Sequence, residues 1–267
     1  MHHPLQTAVA VAAALVAVAF GLSTYERWRA RGRRHELAWT VALGMFAVAA
    51  GALALGAQAG WSPAVFRTFY LFGAIVNVPF LALGTVYLLA NQKTGDRVAR
   101  AVGLGAAFAA GVVVTAPLRA ALPHDQLAQG SQVFGVLPRV LAAVASAGGA
   151  VVIFAGAAWS AWRVWRNAAP RRLLSSNALI AAGTLILSSS GTLNSVFGAM
   201  TAFAVTLLAG IVVLFWGFLL ATSSRAETVI SIPPAPPWRP VGPRLPAPSA
   251  PAATTSRPDR AAVTAPN

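Results

Sequence analysis

At 267 residues the chain is 57% hydrophobic and only 10% charged, with mean hydropathy +0.66. That is too little charge to cover a water-soluble domain of this size, and the apolar residues come in blocks long enough to cross roughly 30 Å of hydrocarbon. The absence of cysteine excludes disulfides and cysteine-ligated zinc or iron–sulfur centres. The formal charge of +14 sits in short loops rather than in a stripe with interleaved aromatics, so nucleic acid is not expected as a partner.

The pattern predicts an all-α integral membrane protein with seven transmembrane helices, at 5–24, 37–57, 68–90, 101–118, 139–162, 173–191 and 197–221. The leading segment "MHHPLQT" lacks the basic n-region of a signal peptide, and arginines follow the first apolar run instead. A retained first helix with its N-terminus outside is the expectation. The loop after it carries Arg27, Arg29, Arg31, Arg33 and Arg34. The loop after the third span carries Lys93, Arg97 and Arg100, and the one after the fifth Arg163, Arg166, Arg171 and Arg172. The opposite side has only Arg67, Arg119 and Arg139, a bias of twelve against three that places the C-terminus in the cytoplasm. Trp159, Trp162 and Trp165 fall at the cytoplasmic edge of the fifth span, as an aromatic belt. Nineteen arginines against one lysine fit a GC-rich, bacterial genome and hence a plasma-membrane location.

The third span, "FGAIVNVPFLALG", carries its two exceptional residues, Asn77 and Pro79, two positions apart in an apolar run. Pro79 cannot donate to the carbonyl of Ile75, so a kink is expected there, and the freed carbonyls need partners because hydrocarbon supplies none. Asn77 reads first as a clasp to a neighbouring helix; the sharper alternative makes Asn77, Pro79 and Thr85 one wall of a binding site. In the fourth and fifth spans, Ala107–Gly111 and Ala145–Gly149 are spaced for close helix approach. The outer loop 119–139 brings Arg119, His124 and Arg139 to one mouth with Arg67. These residues read either as anchors of helix ends or as contacts for an anion or lipid headgroup. The sixth span is the most polar, with Asn177 near one end and Ser188 and Ser189 near the other. The second cluster, Ser188 to Ser195, reads as a turn or, alternatively, as a neutral lining of a solute path.

After Ala221 the composition turns to proline, so 222–267 is expected to be a disordered cytoplasmic tail, with a protein-docking role as its sharper alternative. A weak internal likeness between spans 1–3 and 5–7 suggests a 3+1+3 parallel repeat. Trp28 and Trp165 precede Arg33–Arg34 and Arg171–Arg172, with Gly44 and Gly183 following.

By these boundaries no ionisable residue lies inside a span. Proton-coupled carriage, bis-histidine haem, a retinal Schiff base and intramembrane proteolysis are therefore disfavoured, and no catalytic, cofactor or metal residue is predicted. Two readings remain. The first is a non-enzymatic accessory, scaffold or sensor protein working through contacts with membrane lipid or another protein. The second is a compact facilitator or carrier for a small neutral solute.

Overall fold

The computed structural model describes residues 4–120, 122, 129–166, 175, 178–180, 182–184, 186–187 and 200–230. Among the described residues 91% are helical and none lies in a strand. The helices are α1 (Pro4–Arg31), α2 (Arg34–Ala59), α3 (Pro63–Phe69), a π-helical segment (Tyr70–Val76) and α4 (Asn77–Leu89). After them come α5 (Gln92–Thr115), a single turn α6 (Gly130–Val133), α7 (Val136–Arg166) and α8 (Met200–Ile230). With α3 to α4 counted as one rod, six helices among the described residues are long and apolar enough to cross a membrane. Of the span expected at 173–191, residues 175, 178–180, 182–184 and 186–187 are helical and the rest lies outside the described residues.

Local chemistry sets the ends, and it moves several expected boundaries. Gly32, at φ 64°, closes the tight turn between α1 and α2, so α2 begins at Arg34 and draws Glu36 into its first turn. Ser62 accepts from the Val65 amide at 3.3 Å and Pro63 occupies the first helical position, which starts the third rod earlier than 68. Asn91 caps α5 by accepting from the Thr94 amide at 2.8 Å. That helix therefore starts at Gln92, and it ends at Thr115 because Ala116 precedes Pro117 and is held extended. The last helix runs on to Ile230 rather than stopping at Ala221, since the segment "TSSRAETVI" holds neither glycine nor proline and the first proline beyond it is Pro233.

The rods pack as a bundle with α2 inside. Half of the most apolar stretch of α2 is buried, against 11% for α5 and α7, which lie at the periphery. α2 packs between α1 and α4; α4 also touches α5 and α7, and α8 lies against α1. Phe20 meets Phe215 and Phe218 at centroid distances of 5.0 and 4.6 Å, while Phe203 meets Phe69 at 6.1 Å. Those contacts make α8 parallel to α1. Ser146 beside Ala74 and Gly156 beside Thr85 likewise make α7 parallel to the third rod.

Charge divides between the two ends of the bundle. Ten cations of the described residues, from the α1–α2 turn, the start of α5 and the end of α7, share one end. Arg34 ties two of these corners together through Asp96, which also accepts from Tyr87 at 2.8 Å. The opposite end holds Arg67, Arg119 and Arg139 beside an aromatic cluster of Trp61, Phe66, Phe69, Tyr70 and Phe134.

Candidate functional site

The missing amide of Pro79 explains the local structure of the third rod. Ahead of it the helix widens into the π segment Tyr70–Val76. In that register a donor at position 79 would bond the carbonyl five residues back, Ala74, and proline has none to give. The Ser146 hydroxyl on α7 donates to the Ala74 carbonyl at 2.8 Å instead. One turn along α7, Gly149 lets the helices meet: a Cβ there would lie 2.8 Å from the Val78 side chain and 3.0 Å from its backbone. The expected small-residue contact on the fifth span is thus used, whereas Gly111 on α5 has nothing within 4 Å.

Thr85 packs against α7. Its methyl group packs at Gly156 of α7, and its hydroxyl turns back to the Leu81 carbonyl at 3.5 Å. That same carbonyl accepts from the Trp39 indole of α2 at 3.2 Å, where Gly84 leaves room for the ring. Asn77 sits where the π segment returns to α-helix, 5% exposed, and its carbonyl oxygen is buried and accepts no hydrogen bond. Among the described residues the interhelical hydrogen bond at this kink is the one that Ser146 makes. The sequence signal was there: "LAAVASAGGA" holds one hydroxyl among small residues.

At the arginine-rich end lies a feature that the sequence boundaries hid. Glu36 is 2% exposed, with Oε1 3.5 Å from Arg27 Nε and 3.9 Å from His35 Nε2, and with Oε2 buried and unbonded. The Arg27 guanidinium lies 4.0 Å from the centre of the Phe218 ring, so α1, α2 and α8 converge on one ion pair. Just inside it, Thr24 and Thr40 bond the carbonyls of Gly21 and Glu36, each at 2.8 Å, with their own hydroxyls 2.9 Å apart. Each hydroxyl has a single proton, so one of these three contacts is shared. A charge pair at this depth is costly to desolvate and stands only because its members hold each other.

At the other end Arg67 is turned inward. It donates to the Ala116 carbonyl at 2.9 Å, capping α5, and its Nε is buried without a hydrogen bond. The Arg119 amide bonds the Val133 carbonyl at 2.9 Å, its guanidinium lies against Gly135, and Arg139 is exposed. His124, Asn177, Ser188 and Ser189 lie outside the described residues. Among the described residues no group of three or more His, Cys, Asp or Glu is placed to hold a metal ion. No protein-family model, curated protein or solved structure matches the chain.

Proposed function

We propose that this is a non-enzymatic, multi-pass plasma-membrane protein that works through contacts, as an accessory, scaffold or sensor subunit. The observation that carries the reading is the use made of its interior polar groups. Ser146 closes the kink, Thr85 and Trp39 share the Leu81 carbonyl, and Thr24 and Thr40 brace the Arg27–Glu36 pair. These groups hold helices to one another rather than facing a solute path. Phe218 laid over Arg27 also links the helix that leads into the proline-rich tail to the first hairpin, a route by which a cytoplasmic contact would be felt in the bundle.

Seven crossings, N-terminus outside and tail in the cytoplasm, belong to this reading. α7 ends at the arginine-rich end and α8 starts at the opposite one, so the chain between them has one crossing to make. Packing of Gly183 against Leu214 and of Leu187 against Gly210 supports that path. The pairing of α1 with α8 and of α7 with the third rod is what a two-fold relation between spans 1–3 and 5–7 would produce, which supports the parallel repeat.

A second reading, a facilitator of a small neutral solute, is favoured by one observation: the buried, unbonded oxygen of Asn77 beside a π turn. Native mass spectrometry of the gently solubilised protein separates the two. A second protein chain at fixed stoichiometry supports the contact reading. A small molecule retained at fixed stoichiometry by the wild type and lost in Asn77→Ala replaces it with the second.

A further inference from the structure

We propose that the arginine-rich end is a docking surface for the headgroups of anionic phospholipids, an inference that rests on the multi-pass membrane reading above. Three acids stand in the same segments as the ten cations: Glu26, Glu36 and Asp96; Arg225 and Glu227 follow at the end of α8. Glu36 is taken by Arg27 and Asp96 by Arg34. Arg29, Arg31, Arg33, Lys93, Arg97 and Arg163 are all exposed and have no carboxylate partner among the described residues.

Their height along the helices selects the partner. α1 continues unbroken from Leu22, 57% exposed, to Arg31. At 1.5 Å per residue, Arg29 and Arg31 stand about 10–14 Å beyond that last outward leucine. On α7, Trp159 is 53% exposed, and Arg163 follows about 6 Å further on. The polar layer of a bilayer begins where the hydrocarbon ends and is about 5–8 Å deep on each side. Long basic side chains lean along the helix to reach it. The ring pairs Tyr25–Trp28, 5.6 Å apart, and Trp159–Trp162, 5.2 Å apart, occupy the zone between, where amphipathic aromatics prefer to lie.

The cations project from three separate helix ends rather than one contiguous strip. That arrangement suits a planar array of phosphates better than a single polyanion threading past. Guanidinium groups bind phosphate oxygens in pairs, and clustered cations beside a span are drawn to an anionic leaflet.

The test compares melting of the full chain in lipid discs of phosphatidylcholine alone and of phosphatidylcholine mixed with phosphatidylglycerol. The wild type melts several degrees higher in the mixed discs, and the gain shrinks as salt is raised. In Arg29→Gln/Arg31→Gln/Arg33→Gln at least half of the gain is lost while melting in phosphatidylcholine is unchanged. If that variant fails to assemble, Lys93→Gln/Arg97→Gln carries the same comparison, and the salt dependence of the wild type needs no variant. Equal melting of the wild type in both discs overturns the proposal. So does a gain insensitive to salt, or one reproduced in phosphatidylcholine by soluble glycerol phosphate or an acidic peptide. A chain that partitions away from the discs overturns the membrane reading as well, whereas equal melting in discs overturns the lipid surface alone.

Discussion

Ser146 on α7 donates its hydroxyl to the carbonyl of Ala74, 2.8 Å away across the helix interface, in the π segment ahead of Pro79. The bond matters more than its length suggests, because the alternative is a bare carbonyl in an apolar interior. Ser146→Ala is expected to cost about 1–2 kcal/mol, or roughly 2–6 °C in melting temperature, and Ser146→Thr about half as much. Thermal unfolding in detergent reads both.

If the hydroxyl stands in for the missing amide, the cost must depend on the proline. Restoring a donor with Pro79→Ala lets the backbone satisfy itself, so Ser146→Ala becomes nearly neutral in that background. The double-mutant cycle is expected to return a coupling of about 0.5–2 kcal/mol. Additive effects would show that serine and proline act separately.

Gly149 is required by proximity rather than by backbone conformation. Gly149→Val drives methyl groups into Val78 and is expected to cost about 1–3 kcal/mol. Gly148→Ala, at a neighbouring position with nothing within 4 Å, serves as its control and is expected to leave melting unchanged or slightly raised.

Glu36 gives the largest expected effect. Glu36→Gln removes the buried carboxylate charge that faces Arg27, whose guanidinium lies 4.0 Å from the centre of the Phe218 ring, a change worth about 3 kcal/mol. Replacing the pair together, Arg27→Met with Glu36→Leu, is expected to recover most of that loss. Hydrogen exchange along α8 offers a second readout, since freeing Arg27 removes a contact of Phe218.

Asn77 is expected to behave in the opposite way. Its oxygen is desolvated without a partner, so Asn77→Leu keeps the volume, removes an unmet acceptor and is expected to be neutral or stabilising by about 1 kcal/mol. A loss larger than that would reveal a donor that reaches the oxygen in solution.

The kink at Pro79 and the need for a donor were legible in the sequence because proline chemistry is local. The identity of the donor was not, since Asn77 and Ser146 are both polar groups at similar depth. Choosing between them requires the relative rotation of two helices, which no pattern in either one contains. Glu36 was missed for a smaller reason. An expected helix start at residue 37 made it a loop acid, and starting the helix at Arg34 turns the same residue into the buried partner of Arg27. Likewise the fourth span was drawn through Pro117, although the constraint that a proline puts on the residue before it ends α5 at Thr115. The Arg67 cap on Ala116 follows from that early end and was out of reach while the helix was drawn too long.

The parallel contact of α1 with α8 also bears on how the molecule is made. Ala13, Ala17 and Phe20 leave the ribosome well before Ile211 and Phe218, yet all five are buried in one cluster. The first hairpin must therefore wait with an open flank until α8 has been synthesised. A chain truncated before Phe215 leaves its first helix unsealed.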